Sequence, residues 1–143
     1  MIYKPHNFDI KELVPKKVYD LRGDKSWELL NPMILYSYQE LRNYISKPII
    51  FNDWANGGDR YNQFLRLHDY YKNLSFSQHL YGNAGDGFVD GIDAEELRQI
   101  VIHLKKVQKL EYVTGMEDGV SWLHIDCRPT DRVNKDGLYI FTA

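Results

Sequence analysis

Ser77-Gln78-His79-Leu80-Tyr81-Gly82-Asn83-Ala84-Gly85-Asp86 is the stretch around which the chain is organised. It sets a histidine and an aspartate seven positions apart, with two glycines and an alanine between them. Imidazole and carboxylate are both good zinc ligands, and a catalytic zinc needs three protein ligands with a fourth position left for water. A third ligand stands in Trp122-Leu123-His124-Ile125-Asp126, where a histidine lies inside an apolar, strand-like run. Gly82, Ala84 and Gly85 let the backbone bend closely around an ion and let other elements pack against the loop. The expected ligands are therefore His79, Asp86 and His124, and the expected cofactor is zinc.

Downstream of this stretch, the carboxylates Asp86, Asp90 and Asp93 invite a calcium reading. It fails, because Phe88 occupies the third loop position, where a calcium loop needs an oxygen ligand. Asp93 reads instead as a helix cap with Glu96 completing a capping box. Leu97, Ile100, Val101 and Leu104 form the buried stripe of a helix ending near Lys109, and His103 falls off that stripe. Two strands follow, Leu110 to Glu117 and Val120 to Cys127, joined by Asp118-Gly119, a strong hairpin signal. A two-residue turn pairs Glu117 with Val120 and puts Glu117, Val120, Trp122 and His124 on one face. Val120 then lies about 13 Å along the strand from His124 at about 3.3 Å per residue, so a twist, bulge or longer loop is needed to bring Glu117 to the metal. Asp126 shares the face of His124 and can orient a ligand. Cys127 alternates to the other face and is no nucleophile. The tail turns at Lys135-Asp136-Gly137 and offers a last strand, Leu138 to Phe141.

Upstream, Pro48-Ile49-Ile50-Phe51-Asn52 reads as a core strand. Before it, Asn31-Pro32 starts a helix as cap and first-turn proline. Its face is Ile34, Leu35, Tyr38, Leu41, Tyr44 and Ile45, and Lys47-Pro48 ends it. Asp24 caps a short helix through Trp27 and Leu30. Residues 1 to 24 read as an irregular arm anchored by Phe8, Ile10, Leu13 and Val14, with Pro15 interrupting any helix.

At 143 residues the chain is one domain long, large enough to bury a core without staples. The single cysteine rules out an intrachain disulfide and a cysteine zinc cage. A formal charge of -2 with no basic run argues against nucleic acid as a partner. No apolar run approaches the roughly 20 residues of a membrane span. The start, Met1-Ile2-Tyr3-Lys4-Pro5-His6, lacks a secretory core, so synthesis in the cytoplasm is expected.

The pattern Ser-x-His-x-x-Gly-x-Ala-x-Asp, met by Ser77, His79, Gly82, Ala84 and Asp86, followed by Trp-x-His-x-Asp at Trp122, His124 and Asp126, resembles the D-Ala-D-Ala carboxypeptidase-like zinc peptidases. That group includes murein peptidases, phage endolysins and, as a relative, the hedgehog domain. The run from Phe8 to Val14 resembles the start of its phage members, and Asn52 to Gly58 resembles a loop ahead of a substrate-facing arginine. Arg66 matches that arginine best, with Arg60 as competitor. A guanidinium suits the role because it stays charged and grips a carboxylate or oxyanion with paired donors.

The resemblance implies that Ser77 borders the substrate cleft and that a carboxylate moves the proton. Glu117 is the first choice for that base and Asp118 the competitor. The position that would make Glu-x-x-His is Ser121. The implied fold is α+β, a small antiparallel sheet with helices packed on one side and zinc in the cleft, over residues 1–143 as one domain. The implied activity is hydrolysis of an amide bond in the peptide of peptidoglycan by a monomeric phage or prophage lysis enzyme reaching the cell wall. The alternatives are a D-Ala-D-Ala carboxypeptidase, a non-catalytic zinc domain of a virion or interaction protein, and a metal-free globular domain.

Overall fold

The computed structural model describes residues 2–143. It is an α+β fold with three helices, α1 (Lys16–Arg22), α2 (Pro32–Ile45) and α3 (Ala94–Lys106). Four short strands accompany them, β1 (Ala84–Gly87), β2 (Gly115–Asp118), β3 (Leu123–Asp126) and β4 (Tyr139–Thr142). Among the described residues no helix is long and apolar enough to cross a membrane.

Helix α2 starts where its sequence asks. Asn31 accepts from the amide of Met33 at 2.9 Å, and Pro32 occupies the first turn, where no amide partner is lost. Ile34, Leu35, Tyr38 and Leu41 are buried along one side. Asp93 caps α3 by accepting from the amide of Glu96 at 2.8 Å, and Leu97, Val101 and Leu104 bury the inner face. That helix stops at Lys106 rather than near Lys109, because Gln108 and Leu110 take positive φ values of 63° and 51°. The N-terminal arm is less irregular than expected. Pro15 precedes α1 instead of blocking a helix, since a ring without an N–H costs nothing at a helix start.

The sheet runs in the order β1-β3-β2-β4. It is mixed rather than antiparallel: β1 and β2 flank β3 antiparallel, whereas β4 runs parallel to β2. The chain leaves β3, passes the far side of β2 and returns beside it, so a strand is skipped. The expected strand over residues 48–52 reduces to one bridge, Ile50 with Phe88.

The hairpin also departs from expectation. Gly115 pairs with Asp126 and Met116 with Ile125, which leaves four residues, 119–122, between β2 and β3 instead of two. Arg98 of α3 explains it. Its Nη1 donates to the carbonyls of Val120 at 3.0 Å and Trp122 at 3.2 Å, carbonyls that a tighter hairpin would have used in the ladder. Continued by one residue, the observed register sets Glu117 opposite His124.

Alternation then divides the sheet. Leu123, Ile125 and Met116 enter the core with Tyr38 and the inner residues of α3. Asp86, Glu117, His124, Asp126 and Phe141 belong to the other face. Tyr38 clamps the apolar face by donating to the Gly85 carbonyl at 2.6 Å. A side chain at Gly85 would run into the rings of Phe64 and Tyr38, so the close approach of β1 to the core requires glycine.

Candidate metal centre

Three segments bring the site together. Ser77 caps a single turn, Gln78–Tyr81, which ends at Gly82 with φ 69°, a left-handed conformation that glycine adopts freely. That turn buries His79. Its Nδ1 donates to the carbonyl of Phe64 at 2.7 Å, while the Phe64 ring is locked in the core against Phe51 and Tyr38. The core therefore fixes the tautomer, with the proton on Nδ1 and the lone pair on Nε2.

β1 carries Asp86, whose amide donates to the Gln63 carbonyl at 2.6 Å. β3 carries His124, paired in register with Asp86. His124 Nδ1 lies 2.8 Å from Asp86 Oδ1, and His79 Nε2 lies 3.2 Å from the same oxygen. His79, Asp86 and His124 are all buried, and their ligand atoms lie within 4.8 Å of one another, a cluster that could hold a metal ion.

The outer contacts are complete. His124 Nε2 donates to Asp126 Oδ2 at 2.8 Å. Asp126, wholly buried, receives the Arg128 fork through Nε at 2.9 Å and Nη2 at 2.6 Å. Arg128 lies over the Phe141 ring at 4.2 Å, which ties β4 to the site. Arg66 Nη2 donates to Asp86 Oδ2 at 2.8 Å, and its Nε to the carbonyl of Asn62 at 2.7 Å.

These contacts set the charges. Burial would lower the pKa of His124, but hydrogen bonds to Asp126 and Asp86 overcome it and push the group up to about 9. Burial lowers the pKa of His79. Burial opposes ionisation of Asp86, yet its hydrogen bonds to His124 and His79 hold the carboxyl well below its usual range. Neutral His79 thus aims a lone pair at a carboxylate oxygen with no proton between them. Two acceptors in that arrangement repel, and a cation between them removes the conflict.

Around the cluster lies a cleft of about 520 Å³ lined by Arg66, Ser77, His79, Asp86, Glu117 and His124, joined by Gln63, Tyr70, Trp122, Arg128 and Phe141. Arg60 is elsewhere, against the Phe88 ring and near Asp53. Asp118 points off the cleft and pairs with Arg98 at 3.4 Å. Cys127 is buried and its thiol is pushed up to about 12, by burial first and the neighbouring Asp126 charge second. It is no nucleophile.

Gln63, Tyr70, Arg128 and Phe141 line the cleft outside the expected set. Arg128 was readable, since positions 124, 126 and 128 share a face by strand alternation. Phe141 carried no local signal, because it reaches the site only through the parallel pairing of β4 with β2. Comparison with protein-family models, curated proteins and solved structures finds no match for this chain.

Proposed function

We propose that this chain is a zinc-dependent peptidase that hydrolyses an amide bond in the peptide of bacterial peptidoglycan, as a monomeric phage or prophage lysis enzyme acting at the cell wall. The observation that carries the reading is the convergence of two imidazole nitrogens on one Asp86 oxygen, at 3.2 and 2.8 Å. Ligand atoms held about 2.0–2.2 Å from a tetrahedral zinc lie about 3.3–3.6 Å apart, so the His79 spacing is close to that of the ion and the His124 spacing would have to open by about 0.5 Å or more. A nitrogen-rich set with one carboxylate also suits zinc better than calcium or magnesium, which prefer oxygen. The peptidoglycan substrate rests on the resemblance of residues 77–86 and 122–126 to wall-cutting zinc peptidases.

Zinc, when bound, would acidify a water molecule and polarise the scissile carbonyl. The remaining steps belong to the protein. Glu117, half-buried on the cleft face, takes the water proton and returns it to the leaving amine. Asp126 holds His124 through Nε2 and leaves Nδ1 for the ion, and Phe64 does the same for His79 through its carbonyl. Arg66 neutralises the outer oxygen of Asp86 and offers its remaining N–H groups to a substrate carboxylate or oxyanion.

The test is loss of turbidity and release of amine from purified peptidoglycan. Cleavage should stop with chelator, return with zinc, and fall by about 10²–10⁴ in Glu117→Gln, the range for losing a general base. Stoichiometric zinc without cleavage of any wall type would sink the peptidase reading and favour a non-catalytic zinc domain.

A further inference from the structure

The cleft holds a second guanidinium besides that of Arg66, and the fold builds a seat for it. Arg128 follows β3, crosses β2 and lies over the Phe141 ring of β4 at 4.2 Å. Gly115 of β2 makes the crossing possible, because a Cβ there would run into the Asp126 carboxylate and Arg128 Nε. The backbone is pinned as well, since the Arg128 carbonyl accepts from the Thr114 hydroxyl at 2.5 Å.

The seat engages most of this guanidinium but not all of it. Nε and Nη2 donate to Asp126 at 2.9 and 2.6 Å, and one face rests on Phe141. Nη1 has no hydrogen-bond partner among the described residues, although the Arg128 side chain is 20% exposed and lines the cleft. Its one ion pair among the described residues is with Asp126, so Glu117 on the same face stays untied. Burial would lower the pKa of Arg128, but the hydrogen bonds and charge of Asp126 raise it, and the group stays a cation. Arg66 is seated in the same way on the other side of His124. That ring turns Nδ1 to Asp86, which Arg66 holds, and Nε2 to Asp126, which Arg128 holds. The first pair belongs to β1 and the second reaches β4, the two edges of the sheet. Arg132 lies over the neighbouring Tyr139 ring at 4.7 Å, so positive charge continues outward along β4.

We propose that Arg128 binds a second carboxylate of the substrate while Arg66 binds the first, so that the protein selects peptides with two acidic groups, one towards each edge of the sheet. The inference rests on the peptidase reading and adds to it a residue that sets specificity. A guanidinium already fixed by Asp126 and Phe141 has little freedom left to lose when its last edge meets a carboxylate. An amide in that place would accept the same hydrogen bond without the charge and so bind more weakly.

The probe is the N-acetylated stem pentapeptide L-Ala-D-Glu-L-Lys-D-Ala-D-Ala, whose carboxylates are those of D-Glu and the terminal D-Ala. It is compared with the forms amidated at one or the other. In the wild type each amidation should raise KM by about tenfold, the effect of losing one hydrogen bond to a charged group. In Arg128→Gln one of the two penalties should vanish and the other persist. A residue that only held Asp126 would weaken zinc and slow all three peptides alike, and that pattern, with both penalties intact, would overturn the proposal. NMR of the zinc-loaded wild type needs no variant. The Arg128 Nε–H signal should shift with the free acid and stay in place with one of the amidated forms; the same response to all three peptides would overturn the assignment. If no bond is cleaved, the peptidase reading fails, and this titration still decides whether Arg128 binds a carboxylate.

Discussion

His79 and His124 approach the same Asp86 oxygen, both are buried, and yet the fold holds them in opposite charge states. The turn that carries His79 sets it against the neutral carbonyl of Phe64, so burial wins and the ring stays neutral. The strand that carries His124 sets it between two carboxylates, which overcome the same burial and keep it protonated. One ligand therefore arrives ready for a metal, whereas the other must lose a proton. The lesson is that the groups hydrogen-bonded to the ring, not its depth, decide its readiness.

The hardest way to break the comparison is to remove the shared partner. Asp86→Ala leaves His124 and Arg66 buried without their common counter-charge, a loss of about 3–5 kcal/mol by analogy with other broken buried pairs. Denaturant unfolding in chelator should show that loss, and the dialysed variant should hold no stoichiometric metal.

A pH titration separates the two rings next. The pKa of His124 is raised from 6.5 to about 9, so its contribution to the metal-free protein is complete below about pH 6.5. It is lost as pH rises through about 9, and amounts to about 3 kcal/mol at most. The chelated protein should therefore weaken between pH 6.5 and 9. Asp86 acts oppositely: its lowered pKa stabilises above about pH 4, and that contribution fades in acid. Metal uptake at pH 7 should release about one proton, from His124 and not His79. Calorimetry in buffers of different ionisation heat reads that number, and a value near zero or near two would break the contrast.

Asp126→Asn sharpens the same point. The amide keeps the shape and removes the charge, so the pKa of His124 should fall and the proton release at pH 7 should shrink. Metal affinity should drop about 10–100-fold, the usual cost of losing an outer partner of a ligand histidine.

Much of this site was legible because its determinants are local. The cap at Asn31-Pro32, the cap at Asp93 and the left-handed turn end at Gly82 each act within a few residues. What was not legible depends on distant partners. Residues 119–122 could not be read as a long loop, because the agent that holds them open is Arg98, more than twenty residues away in sequence. The parallel placement of β4, and with it Phe141 in the cleft, follows from how the tail packs beyond β2 and leaves no trace in local alternation. Glu117 gained its place opposite His124 from the same loop, so an expectation of a tight hairpin undervalued a residue it had chosen.

Asp118 supplies the smallest effect and the finest check on the two histidines. It is adjacent to Glu117 in β2, but alternation turns it to Arg98, in a pair whose carboxylate is half exposed. Exposed pairs contribute roughly 0–1 kcal/mol, so Asp118→Ala should lower stability by less than about 1 kcal/mol. Arg98 keeps its bond to Glu95 at 3.0 Å and its grip on the Val120 carbonyl, so the loop and the register should survive. The titration of His124, followed by NMR in the chelated variant, should stay where it is, and metal uptake with it. A shift would mean that a carboxylate on the far face of β2 feeds the charge of His124. The contrast with His79 would then belong to the whole strand pair, not to the two oxygens that touch the ring.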